Sequence, residues 1–445
     1  MENFYSIIFW ILLSIFLIII GTAKFKFHPA LVLFTVAMIT ALGFGNSISE
    51  SIKIVSLGFG NMLANIGILI LLGCILAVIL EELNSIQYLS TLFLKAFGLK
   101  RPFLLLSSLG GLIGIPVFCD VAYIILSNFS KSLAQKAGVS KISTSITIAS
   151  SLYIAHNLIP PTPGPLAVIG NFQASNQLGL VFLLGVIISI FLVLILAAYA
   201  RYISAKTAQS DITDNHEEVE TSNQSFLIIT PLLIPIILIA IGSFIGLSEN
   251  EYFIFKYIEI MGNPIIALGI GVLIGLFLLR KRKSNAEGDI IKDAISQAGP
   301  ILIITGLGGS YGQVIKNSAF SDLLIENVGI ESQQSIIILL MAYLLAFFIK
   351  TAQGSSTSAM IIVSSIIAPL IIGSELNNPL GISLLVLAIG SGAMMVSHSN
   401  DSYFWVVKEF SGMSVKQSLK NFSVGTILLS ISSFLMVLLM FWILI

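Results

Sequence analysis

Charge is scarce in this sequence. Asp, Glu, Lys and Arg make up 10% of its 445 residues, with 22 acidic against 22 basic. A net charge of zero says nothing about a nucleic-acid partner, and no basic patch is large enough to suggest one. Cysteine is almost absent: Cys74 and Cys119 both lie in apolar runs, which argues against a disulfide framework or a zinc site. The four histidines, His28, His156, His216 and His398, are dispersed. There is no HExxH motif, and no Ser or Cys nucleophile has a base in register. An intramembrane enzyme is therefore not expected, and no cofactor is implied. The chain start lacks the basic n-region of a signal peptide; its first cations, Lys24 and Lys26, follow the first apolar run. That order predicts a retained span with its N-terminus outside.

Apolar residues are what the chain has in excess. They form 56% of the sequence, with a mean hydropathy of +1.00. A bilayer span needs about 20 apolar residues, and at least eight runs approach that length. The composition predicts an all-α polytopic membrane protein whose first partner is the lipid bilayer. One stretch violates the pattern, AHNLIPPTPGP at 155–165, which places four prolines and a glycine in six residues at the end of an apolar run. Proline removes a backbone donor and clashes with the preceding turn. In hydrocarbon each freed polar group costs several kcal/mol. Such a break belongs where protein or a water-filled cavity satisfies the backbone, which in transporters is the substrate site.

In order, the pattern predicts spans at 4–22, 28–45 and about 61–82, then an amphipathic interfacial piece at 84–98. Residues 102–129 are apolar but cut by Gly110, Gly111, Gly114 and Pro116, and read as a re-entrant hairpin. A broken span at 142–170 and an intact one at 178–200 follow. Residues 202–225 have no apolar periodicity and read as a disordered cytoplasmic linker. The same order then recurs: spans at 226–247, 264–280 and about 300–318, and an amphipathic piece at 320–329. A hairpin at 334–371 is interrupted by KTAQGSST, a broken span at 380–410 by SHSND, and a final span covers 421–445.

Residues 1–201 and 226–445 thus carry the same element list on either side of the linker. Each half crosses five times if its hairpin does not cross. An odd number inverts the second half relative to the first, the inverted-repeat plan of secondary transporters. With both termini outside, 18 of the 22 basic residues fall on the inner side, as the positive-inside rule requires.

Ionisable groups at membrane depth are functional by default. Asp120, after the hairpin break, is a candidate cation or proton site, or a carboxylate locked to a helix end. His156 can exchange a proton, contact a substrate oxygen or be structural. His398, Asn400 and Asp401 occupy the corresponding break of the second half. Lys350 either counters an anionic substrate or pairs with a carboxylate such as Asp401 as scaffold. Gly354, Ser355, Ser356 and Thr357 open a return helix, whose hydroxyls and free N–H groups suit a carboxylate or serve as a plain N-cap.

The stretches HNLIPPTPGPLAV (156–168), GIPVFCDVAYIIL (114–126), KTAQGSSTSAMI (350–361) and SHSNDSYFWVVKEFSGMSVKQSLKNFSV (397–424) resemble the signature stretches of the gluconate permease family. That family comprises bacterial inner-membrane symporters for gluconate and related hydroxy acids, with one branch for D-serine. The resemblance implies an ion-coupled transporter with paired hairpins, elevator-like movement and a homodimeric state. Thr162 stands where many members have His, Lys350 where Arg is usual, and Asp120 where many have Glu. Lysine keeps the charge but loses the planar fork that grips a carboxylate bidentately.

The expected activity is import of gluconate or a related small hydroxy carboxylate with H⁺. The alternatives are a Na⁺-coupled carrier of a small organic acid and a D-serine-type amino acid transporter. Asn157, Thr162, Gly164, Gln353, Gly354, Ser355, Ser356, Thr357, His398 and Asn400 are the expected substrate contacts. Asp120, His156 and Asp401 are the candidates for coupling, with Lys350 as charge partner. The breaks at Pro160–Pro165 and Ser397–Asp401 are expected to meet.

Overall fold

The computed structural model describes residues 4–207, 225–246, 257–258, 260–281, 287–318, 335–371, 374–398 and 401–445. Among them every regular element is helical and no strand occurs. Six helices are long and apolar enough to cross a membrane.

The chain opens with α1 (Phe4–Ile19), α2 (Pro29–Gly43) and α3 (Ile48–Glu82). α3 starts well before the span expected at about 61–82. Its start is set by a capping box: the Glu50 N–H donates to Ser47 Oγ at 3.3 Å, and the Ser47 N–H donates back to the Glu50 carboxylate at 2.9 Å. The helix therefore begins in a polar stretch, ahead of its apolar run. α4 (Ser85–Phe97) is the amphipathic piece and buries Ile86 and Leu89. α5 (Pro102–Ile113), α6 (Cys119–Ala137), α7 (Lys141–Leu158), α8 (Pro163–Asn171) and α9 (Leu178–Thr207) follow. α9 runs on through residues 202–207, which the sequence pattern assigns to the linker, so that part of the expectation is corrected. Residues 208–224 lie outside the described residues, as does the amphipathic piece expected at 320–329.

The second half comprises α10 (Thr230–Gly246), α11 (Pro264–Lys281), α12 (Glu287–Lys316), α13 (Ser335–Gln353), α14 (Ser356–Ile367), α15 (Pro379–Ala393), α16 (Ser402–Ser411) and α17 (Val424–Leu444). α12 also outruns its expected span of about 300–318. Its first turns carry Asp289, Lys292 and Asp293, charged residues that hydropathy discounts but a helix accepts.

α5 lies beside α7 and runs in the same direction. A Cβ at Gly110 would meet Ser151 Oγ at 2.0 Å, and one at Gly114 would meet the Ala155 Cβ at 2.9 Å. α6 starts level with Tyr153 and His156 and ends just before α7 begins, so the chain reverses at residues 114–118. α13 lies beside α15 likewise. A Cβ at Gly392 would meet the Tyr343 carbonyl at 2.2 Å, and one turn of helix and more further on the Lys350 ammonium donates to the Val396 carbonyl at 3.4 Å. This second course turns back into α14 at Gly354.

Elements of the two halves interlock. α3 meets α12 where Gly58 lies against Gly309 and Ser310. α8 meets α14 through Asn171, whose side-chain amide donates to the Ile361 carbonyl at 3.1 Å and to Ser364 and Ser365 Oγ at 2.8 and 2.9 Å. α9 meets the turn that leads into α17, where Tyr199 Oη donates to the Asn421 carbonyl at 2.7 Å. Small residues at these crossings let backbones approach closely, the packing device available where water offers no hydrophobic drive.

Candidate functional site

Three helices begin on one cavity. It has a volume of about 590 Å³ and is walled by the starts of α6, α14 and α16, the end of α7 and one face of α12. A helix start carries unpaired N–H groups and a partial positive charge. Three of them around one volume favour an anionic or hydroxylated ligand over an apolar one.

The α14 start is set by a sharp turn. Gly354 precedes it at φ +90°, in the left-handed region where a Cβ is strained. This lets the chain turn sharply from α13 into α14. Ser355 is the N-cap, its Oγ accepting from the Ser358 N–H at 3.2 Å. Ser356 and Thr357 face the cavity beside it. Thr357 Oγ1 lies 3.4 Å from His156 Nε2, joining α14 to the end of α7, while His156 Nδ1 is buried without a partner.

The two acids on the wall differ in their surroundings. Asp401 is fully engaged. Its Oδ2 accepts from the Lys350 ammonium at 2.8 Å and from Ser397 Oγ at 2.6 Å, and its Oδ1 caps α16 by accepting from the Tyr403 N–H at 3.0 Å. Lys350 is wholly buried behind it, so its charge is neutralised within the protein and does not face the cavity directly. Asp120 sits in the first turn of α6, where Phe118 supplies no side-chain cap. Its Oδ1 is buried without a hydrogen-bond partner, and it has no salt bridge among the described residues. Of the two acids on the wall it is the less compensated.

The cavity therefore gathers Asp120, His156, Gly354, Ser355, Ser356, Thr357 and Asp401. Other expected contacts stand away from it. Asn157 is completely buried, donating to the Tyr153 carbonyl at 2.8 Å, and its own carbonyl lies where a Cβ at Gly390 would sit 2.3 Å away. One step along the helix from His156, it does not line the cavity, and its Oδ1 is buried without a partner. Thr162 turns its hydroxyl back to the Ile159 carbonyl at 2.5 Å and faces only a void of about 10 Å³ beside Cys74 and Pro116. Gly164 serves close packing, a Cβ there meeting Met360 Sδ at 2.6 Å. His398 Nε2 lies 3.0 Å from the Thr351 carbonyl, bracing the turn after α13. The Pro160–Pro165 break thus touches the cavity only through His156 and Tyr153 upstream of it, and the expected meeting of the two breaks is correspondingly indirect. Asn400 lies outside the described residues, and Gln353 is described only by its backbone, at the end of α13.

Residues that pattern reading missed complete the wall. Tyr153 and Tyr403 stack with centroids 5.5 Å apart, and their hydroxyls are engaged by the Ala393 and Ala149 carbonyls at 3.2 and 2.8 Å. They offer rigid ring surface. From α12 come Gln297, Pro300, Ile301 and Ile304, and Gln297 Oε1 is buried without a partner. A proline inside an otherwise helical run was the available signal for this face, because Pro frees a carbonyl one turn back. No cluster of three or more metal-ligating side chains occurs among the described residues. The arrangement suits binding a small anion by hydroxyls and helix starts opposite one carboxylate that can change charge.

Comparison with known proteins agrees with that chemistry. A family model described as GntP family permease matches residues 6–443. The chain is 29% identical over 440 residues to the gluconate permease of Pseudomonas aeruginosa, covering 96% of each chain. It is 25% identical over 432 residues to the D-serine transporter DsdX of Escherichia coli K12, covering 95% of each. Its fold is similar to that of the YdaH transporter of Alcanivorax borkumensis, whose crystal structure has an unusual topology. The TM-score is 0.65 at 14% identity, over 86% of this chain and 87% of that one.

Proposed function

The chain belongs to the GntP permease family, a family of transporters rather than enzymes, and on that premise we propose that it imports gluconate or a related small hydroxy carboxylate together with H⁺. The α14 start, from Gly354 to Thr357, holds the carboxylate. Asp120 exchanges the proton, with His156 bridging the two through Thr357. The observation that carries this reading is the asymmetry of the two cavity acids: Asp401 is neutralised by Lys350, whereas Asp120 has no cation. An anion arriving beside a second, uncompensated anion in a low-dielectric site is disfavoured. A proton on Asp120 removes that repulsion, so substrate and proton load together. Only the empty or the fully loaded site then crosses at low cost.

In this reading the protein lies in the bacterial inner membrane as a homodimer, with both termini outside. Residues 1–201 and 226–445 form inverted repeats joined by a cytoplasmic linker that begins after the end of α9 at Thr207. The 102–129 and 334–371 hairpins are re-entrant and carry the site past a scaffold that includes α12, by an elevator movement. α14 packs across α12 with Ile361 seated on Gly308 and Ser365 against Gly312, and that movement would run along this contact.

The reading is tested by counterflow and uptake in proteoliposomes, with D-gluconate, D-glycerate and D-serine as labelled cargo. Accumulation driven by an imposed pH gradient without Na⁺ is the expected result. Accumulation that requires a Na⁺ gradient at fixed pH replaces H⁺ with Na⁺ in the scheme. D-serine is included because a D-serine transporter is among the relatives. Its zwitterion would place an ammonium beside Asp120 and make the proton unnecessary.

A further inference from the structure

A second cavity, of about 210 Å³, lies at the other ends of α8 and α14. α14 begins on the first cavity at Ser356, and its continuation reaches the second at Ala368 and Pro369. At the helical rise the two are about 20 Å apart. The route between them is filled by side chains seated on glycines. Met360 covers Gly164, Ile361 covers Gly308, and Met62 lies against both Gly170 and Gly309.

The lining of this second cavity differs from the membrane-facing surface around it. Asn61 and Asn65 come from α3, Gln313 and Lys316 from α12, Gln173 from the turn after α8, and Asn377 from the turn before α15. No Asp or Glu is among the described residues that line it. Lys316 is the only cation among the described residues that line it, and the ammonium donates to Gln173 Oε1 at 3.1 Å, which draws it across the mouth toward α8. Asn171 also faces the cavity, but its N–H groups are engaged by α14, so it ties the wall together.

Amides present both donors and acceptors, as a polyol chain requires. One lysine without an acid matches one negative charge. A divalent cation would need oxygen anions that are missing here. The volume equals that of about seven waters, enough for a small organic acid and too little for a peptide or a lipid. We propose that this cavity binds a small hydroxylated monocarboxylate, with Lys316 on the carboxylate and the amides on the hydroxyls, as an antechamber on the side where the route to the central cavity is closed. This rests on the transport reading above, because the cargo it names is the same.

The test is transport of labelled D-gluconate, D-glycerate and D-serine by the full chain in orientation-controlled proteoliposomes, with half-saturation measured from each face. Lys316→Gln is expected to raise half-saturation about tenfold from one face only, with the maximal rate within about twofold of wild type. Lys316→Arg should retain wild-type values, and added salt should weaken wild type toward the Lys316→Gln value. Asn61→Leu, which narrows the cavity and leaves Lys316 in place, should give the same one-sided rise and serves if Lys316→Gln fails to reach the membrane. An equal rise from both faces, or no rise from either with both variants, overturns the antechamber. Absence of transport of all three acids by wild type instead overturns the reading on which it rests.

Discussion

The Lys350 ammonium and the Asp401 carboxylate form a 2.8 Å ion pair with Lys350 wholly buried. The pair joins the end of α13 to the start of α16, two elements 51 residues apart. It holds the turn at Gly354 and the break after α15 in one place.

Breaking such a pair on one side leaves an uncompensated buried charge. Lys350→Met should destabilise the protein by about 3–5 kcal/mol. The double variant Lys350→Met/Asp401→Asn, in which Asn keeps the cap on α16, should recover more than about 1 kcal/mol of that loss. Thermal unfolding of the four proteins in detergent measures the cycle. Strict additivity would mean that the two charges do not act as a pair.

Asp120→Asn removes the charge change without altering the shape of the α6 start. Exchange of substrate across the membrane should persist near the wild-type rate, while accumulation against a gradient falls to equilibration. Counterflow and pH-driven uptake on the same vesicles separate the two. Uphill uptake by the variant would assign coupling elsewhere, with His156 the next group to examine.

Gly354 is held at φ +90°. Gly354→Ala should cost about 1–2 kcal/mol and slow uptake by misplacing Ser355 and Ser356. Gly354→Asn, which enters the left-handed region more readily, should be milder on both counts. Unfolding midpoints and initial rates read the order Gly, Asn, Ala, and any other order would detach the turn from the site.

Gln297 faces the cavity from α12 with Oε1 unpartnered. If it contacts bound substrate, Gln297→Leu should raise half-saturation about fivefold, the worth of one neutral hydrogen bond. The unfolding midpoint should be unchanged or higher, because a buried unpaired oxygen is removed. A lowered midpoint with unaltered half-saturation would make Gln297 a structural residue.

Much of this architecture is visible in the letters. Gly114 and Pro116, the prolines at 160–165 and Gly354 mark the places where helices stop, because both residue types act locally on the backbone, whereas Gly110 and Gly111 stay inside α5. Ser355, Ser356 and Thr357 were legible for the same reason, as a cap follows from its position in the chain. The destination of a side chain was less legible. His156 and Asn157 are neighbours in the same polar motif, yet one helical step of about 100° puts the first on the cavity wall and leaves the second off it. Tyr153, Tyr403 and Gln297 look like ordinary helix residues, and only the meeting of α7, α16 and α12 makes them a wall. The early start of α3 was readable from Ser47 and Glu50, where hydropathy alone placed the boundary too late.

Asn171 on α8, Tyr199 on α9 and Gly58 on α3 each fasten a piece of the first half to a piece of the second. Buried residues of both halves form one shared core. A gene cut within 208–224 should therefore yield two fragments that are degraded when made separately and that assemble when made together. However the chain arose, its two halves now fit as a lock and a key that are useless apart.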